Sequence, residues 1–134
     1  MYTGSCLCGQ IQYTINGELA PVQLCHCQQC RKAQGSAFAA NIPVDVADFT
    51  VTRGADVLKE YESTSVSGKF RQFCSHCGSP LFSKLASAPG VVRVRAGTIN
   101  ENINSGLAHN QFVAHKANWW KLDDTLPCFD ERPV

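Results

Sequence analysis

Residues 25–30 read Cys25-His26-Cys27-Gln28-Gln29-Cys30, a C-x-C-x-x-C cluster. Two further clusters flank it, Cys6-Leu7-Cys8 (C-x-C) and Cys74-Ser75-His76-Cys77-Gly78 (C-x-x-C-G). An eighth cysteine, Cys128, stands alone and reads as a lone thiol with no metal role. Disulfides are the plain alternative, and eight cysteines allow 105 pairings. In an extended C-x-C, however, the two Cα atoms lie about 6.6 Å apart, close to the upper limit of about 6.8 Å for a disulfide. The same geometry places both sulfurs on one face. A metal tolerates that, because sulfurs around a tetrahedral zinc need only approach to roughly 3.8 Å. One C-x-x-C would also suit thiol–disulfide redox chemistry. Three clusters together point to zinc.

Seven clustered thiolates divide most simply as four plus three. Structural zinc closes its shell with four protein ligands, whereas catalytic zinc keeps three and leaves one position for water or substrate. Cys25, Cys27 and Cys30 can converge locally on one ion. Cys6/Cys8 and Cys74/Cys77 can join across the fold as a four-sulfur site. Spacing alone also permits other partitions, such as Cys6/Cys8 with two of the central cysteines. Gly9 and Gly78 fit tight turns that aim backbone N–H groups at sulfur.

Length and composition bound the rest. A chain of 134 residues with 44% hydrophobic residues suits one domain over 1–134 with a real core. No apolar run approaches a membrane span. The start, Met1-Tyr2-Thr3-Gly4-Ser5-Cys6, has no basic, apolar leader, which predicts a cytoplasmic protein. Net charge is +1 without a basic block, so nucleic acid is not an expected partner.

The pattern of alternation predicts an all-β fold. Ile11, Tyr13 and Ile15 alternate with Gln12 and Thr14, and Val92, Val94 and Ala96 alternate with Arg93 and Arg95. Shorter β-like runs are Ser36–Ile42, Phe49–Thr52, Val57–Glu62, Lys69–Phe73 and Leu81–Leu85. Turns are expected at Asn16-Gly17, Arg53-Gly54, Ser67-Gly68, Pro89-Gly90 and Asn104-Ser105-Gly106. Only Gln28–Gln34 reads as a helix, placed just inside the central cluster.

The segments Gly4–Gly9, Cys25–Arg31 and Arg71–Gly78 resemble the glutathione-dependent formaldehyde-activating enzyme family, whose domain centromere protein V also carries. The resemblance continues through Arg95-Ala96-Gly97-Thr98-Ile99-Asn100, His109, Phe112, Lys116-Ala117-Asn118-Trp119 and Asp123–Pro127. Asn118 stands where the family often has Pro, Ile99-Asn100 where Leu-Asp is usual, and Cys128 where Gln is common. The resemblance implies a β-tent fold with at most one short helix and two zinc ions per chain. Cys6, Cys8, Cys74 and Cys77 would hold the structural ion, and Cys25, Cys27 and Cys30 the catalytic one. It also implies a zinc-dependent carbon–sulfur lyase that joins a small-molecule thiol such as glutathione to formaldehyde, giving S-hydroxymethylglutathione. A zinc-bound thiol would be deprotonated at neutral pH and would attack the aldehyde carbon, so no side-chain nucleophile is required.

Four arginines could clamp glutathione carboxylates. Arg31 and Arg71 flank cysteine clusters and are the expected substrate-binding pair. Most of the arginines, among them Arg93 and Arg95, read as solvated strand-face charges. His26 and His76 read as polar neighbours pointing outward. His109 and His115 read as ordinary histidines rather than proton shuttles, and Trp119-Trp120 as packing of a C-terminal segment. Two further functional classes stay open: a zinc-stabilised binding module with both metals structural, and a thiol–disulfide redox protein. The fourth ligand at the central cluster discriminates between enzyme and module.

Overall fold

The computed structural model describes residues 1–64 and 67–133. It is mostly β, with two sheets and, among the described residues, one α-helix, as the alternation predicted. The small sheet joins β1 (Tyr2–Ser5), β2 (Gln12–Ile15) and β5 (Phe49–Arg53), all antiparallel. The large sheet has seven strands, which are β3 (Val22–Cys25), β4 (Ala39–Asp45), β6 (Leu58–Glu62), β7 (Lys69–Cys74), β8 (Pro80–Leu85), β9 (Ala88–Arg95) and β10 (Leu107–Gln111). Their spatial order is β10-β3-β4-β9-β8-β7-β6. The β10–β3 pair is parallel and the other neighbours are antiparallel.

Period-two alternation gives the large sheet two unlike faces. Leu24, Ile42, Val44, Phe82, Val92 and Val94 turn toward the small sheet and bury against Ile11, Tyr13 and Ile15. Phe49 bridges the two layers, with ring centroids 5.2 Å from Tyr13 and 4.8 Å from Phe82. On the opposite face the register aligns Arg71 with Ser83 and Ser83 with Arg93, and sets Arg95 beside Asn41. That face is polar and cationic.

The helix α1 (Gln28–Gln34) begins where β3 ends and matches its expected span. Its N-cap is a sulfur, since Cys27 accepts the Cys30 N–H at 3.3 Å. Gly35 closes it in the left-handed region, donating to the Arg31 carbonyl. Three strands lie outside the expected runs, namely β1, β3 and β10. The expected Pro89-Gly90 turn falls inside β9, and the chain turns instead at Ala86-Ser87. No helix among the described residues is long and apolar enough to cross a membrane.

Candidate metal centres

The Cys6-Leu7-Cys8 turn follows β1 in the small sheet, and Cys74 ends β7 in the large one. The two pairs meet as a cluster in which the Sγ atoms of Cys6, Cys8, Cys74 and Cys77 all lie within 4.8 Å of one another. Cys6 and Cys8 sulfurs are 3.6 Å apart, and those of Cys8 and Cys74 are 3.9 Å apart. These separations fit the edge of a tetrahedron around zinc, roughly 3.8 Å, and are far longer than a disulfide bond. No disulfide is formed; all eight cysteines are free thiols.

Backbone and hydroxyl donors converge on this cluster. Ile11 N–H donates to Cys6 Sγ at 3.3 Å, and Cys77 N–H to Cys74 Sγ at 3.4 Å. Gly9 and Gly78 both take positive φ in the turns that arrange these donors. Ser79 Oγ lies 3.2 Å from Cys77 Sγ and accepts the Leu7 N–H at 2.9 Å. The Ser79 hydroxyl, followed by the Ser79 backbone, lowers the Cys77 thiol to about 5.

The second cluster is Cys25, Cys27 and Cys30, again with sulfurs within 4.8 Å of one another. It sits between the end of β3 and the first turn of α1, packed on Ala39 and Phe112. Here two cations join the Cys30 N–H as donors: Lys69 Nζ lies 3.8 Å and Arg71 Nη2 3.9 Å from Cys30 Sγ. Cys25 and Cys27, acting as donors, hold the Cys30 thiol well below its ordinary value, and Lys69 and Arg71 add to that. Cys25 is pushed the other way by Cys27 and Cys30 and by burial. Arg95 is only 4% exposed, and burial lowers its guanidinium to about 10. It donates to Asn41 Oδ1 at 2.7 Å and to Ser83 Oγ at 3.2 Å, and pairs with no carboxylate among the described residues. The Cys30 and Cys25 sulfurs act on Arg95 in the opposite sense to burial, favouring its charged form. Both clusters fit a thiophilic divalent ion, zinc among them.

A cavity of about 280 Å³ opens beside the three-sulfur cluster and reaches Cys25 and Cys27. Lys69, Arg93, Phe112, His115 and Arg132 help to line it. Arg31 and Arg71 do not. Arg71 faces Cys30 from a separate groove that it shares with Lys32 and Tyr61, and Arg31 is half-buried on α1.

Several single residues differ from their expected settings. Arg95 is buried rather than solvated. His26 is fully buried, not outward-facing: its Nε2 donates to Asn110 Oδ1 at 2.7 Å, and its ring packs 5.4 Å from Phe38. It is held by Asn110 of β10 and is not part of the sulfur cluster. His76 is exposed, as expected. Trp119 is 67% exposed rather than packed, while Trp120 meets Phe38 edge-on at 5.4 Å. Cys128 is exposed and belongs to neither cluster. Sequence reasoning missed Lys69 and Phe112 as site residues and passed over Arg93. The available signal was the two-residue spacing of Lys69/Arg71 and Arg93/Arg95, which places each pair on one strand face.

The sequence profile described as "Glutathione-dependent formaldehyde-activating enzyme" matches residues 1–121. Among solved structures, the chain is similar to a Rhodobacter sphaeroides protein at 26% identity and a TM-score of 0.63. That match covers 76% of this chain and 90% of the other. No curated protein matches the chain.

Proposed function

We propose, from the premise that the chain belongs to the glutathione-dependent formaldehyde-activating enzyme family, that it is a zinc-dependent carbon–sulfur lyase and synthase. It would join a thiol such as glutathione to formaldehyde as S-hydroxymethylglutathione, and release both in reverse. The observation that carries this reading is the asymmetry of the two clusters. Cys6, Cys8, Cys74 and Cys77 offer four sulfurs. Cys25, Cys27 and Cys30 offer three beside a cavity, with no fourth His, Cys, Asp or Glu in the group among the described residues. Four protein ligands mark a structural zinc and three mark a catalytic one. This favours an enzyme over a module with two closed metal sites.

Bound at Cys25, Cys27 and Cys30, zinc supplies the Lewis acidity that keeps a substrate thiol deprotonated at neutral pH. The chain's own residues supply the setting. Lys69 and Arg71 face Cys30 and offset the negative charge that accumulates when a further thiolate approaches three others. Phe112 and Leu85 give the cavity apolar wall, which limits water around the reacting carbon. In the addition, a carbon–sulfur bond forms, the carbonyl double bond becomes single, and the thiol proton ends on the former aldehyde oxygen. No oxidant or reductant is needed.

Thiols add to formaldehyde readily without help, so the test must measure rate at equilibrium. Exchange NMR on a mixture of glutathione and formaldehyde reports how fast the adduct forms and breaks. The zinc-loaded protein is expected to raise that rate well above background. Cys27→Ser should return it to background, and Cys128→Ser should leave it raised. A wild-type protein that leaves the exchange rate unchanged would overturn the reading.

A further inference from the structure

We propose that Arg93 and Arg132 form an anion receptor that selects thiols bearing a carboxylate, with Arg132 delivered by the C-terminal segment 127–132. The segment lies beyond the residues that match the family. That the anion belongs to a thiol rests on the functional reading above; the receptor itself rests on the following geometry.

The cavity lining includes three full cations, Lys69, Arg93 and Arg132, and no Asp or Glu. Lys69 is engaged with Cys30. Arg93 stands on the polar face of β9, and its Nη1 is buried without a hydrogen-bond partner among the described residues. Burial depresses the Arg93 guanidinium, and the nearby Arg132 charge depresses it further. Two like charges bordering one cavity repel each other, and an anion between them reverses the sign of both interactions. A guanidinium fork also matches a planar carboxylate in two parallel hydrogen bonds.

The segment that carries Arg132 is built into the site. Asn110 N–H donates to the Pro127 carbonyl at 2.9 Å, and Phe129 N–H returns a bond to Asn110 at 2.9 Å. Val113 N–H reaches the Phe129 carbonyl at 3.1 Å, and Phe112 N–H the Glu131 carbonyl at 3.0 Å. Phe112 holds a left-handed conformation, φ 57°, which a bulky residue rarely adopts unless its surroundings enforce it. Its ring lies 5.6 Å below the Arg132 guanidinium. Glu131, the carboxylate next to Arg132, pairs with His115 at 3.3 Å.

The test is calorimetry on the zinc-loaded protein with S-methylglutathione, whose thioether cannot become a thiolate, and with its diethyl ester. Wild type should bind the diacid roughly tenfold or more tighter than the diester, the range expected for a charged hydrogen bond. Arg132→Gln and Arg93→Gln should each bring that ratio toward one. Lys121→Gln, an exposed charge away from the cavity lining, should not. Arg132 is exposed at the cavity rim, so its variant keeps the test valid should Arg93→Gln fail to fold. Equal binding of diacid and diester by wild type, binding of neither, or an unchanged ratio in Arg132→Gln would overturn the receptor. Diacid selectivity without faster exchange in the NMR experiment would remove the enzyme reading and keep the receptor. Faster exchange with an unchanged ratio would do the reverse.

Discussion

Ser79 shows how much a single side chain adjacent to the ligands can set. Its hydroxyl accepts from the Leu7 backbone and sits on the Cys77 sulfur, so it ties the two halves of the four-sulfur cluster together. With its thiol lowered to about 5, Cys77 is a thiolate at neutral pH, and a metal binding there displaces no proton from it. Ser79→Ala removes that donor and lets the thiol rise, so that protons compete at lower pH. Zinc affinity at this cluster is expected to fall roughly 10–100-fold, the usual effect of removing an outer hydrogen bond. The loss should be larger at pH 6 than at pH 8 in a competition titration with a chromophoric chelator. An equal loss at both pH values would show that the serine acts only by shape. The sulfurs were legible from spacing alone, because cysteine chemistry admits few uses for such pairs. Ser79 and His26 were not, since a serine or histidine beside a cysteine carries no mark of which way the fold turns it.

At the scale of the elements, legibility followed burial on one face. The runs around Tyr13 and Val94 alternate because one side meets the core, and both appear as strands in the structure. Strand β1 reads Tyr2-Thr3-Gly4-Ser5, with no apolar residue at every second position, and β3 pairs in parallel with a strand more than eighty residues away. Pro89 misled the turn assignment: pairing runs through Ala88 and resumes by Val91, so the residue without an N–H falls where no ladder bond is required. Gly4 marks a different constraint. It lies opposite Tyr13 in the β1–β2 register, and a Cβ there would come within 2.0 Å of the tyrosine ring. The ring cannot easily retreat, because its hydroxyl is held 2.6 Å from Thr98 and the residue is 1% exposed. Gly4→Ala should cost about 1–3 kcal/mol by overpacking, read as a lower midpoint in urea denaturation. A change within a few tenths of a kcal/mol would mean that β1 shifts freely.

For the molecule as a whole, the two clusters differ in what they lie between. The four-sulfur cluster ties the small sheet to the large one, across a separation of 66 residues from Cys8 to Cys74. A structural zinc contributes roughly 10–16 kcal/mol in small finger peptides, against about 5–15 kcal/mol for the net stability of a domain. Cys6→Ser should therefore abolish cooperative thermal unfolding. Cys27→Ser, at the N-cap of α1 beside a cavity and in a cluster that spans only residues 25–30, should keep a cooperative transition and lose activity. Equal collapse of both variants would contradict that division. The partition of sulfurs was readable in the sequence as the simplest of several. Of the cationic face, only the pairs within one strand, Lys69/Arg71 and Arg93/Arg95, were readable; the pairs meet only once β7, β8 and β9 come into register.

The central claim is that two sulfur clusters hold two metal ions, one of them with a position open to a small molecule. X-ray absorption at the zinc edge of the reduced, metal-analysed protein tests it most directly. Two zinc ions per chain are expected, with about 3.5 sulfurs per zinc on average, rising to about four when glutathione is added. One zinc per chain, or four sulfurs per zinc before any thiol is present, would contradict it.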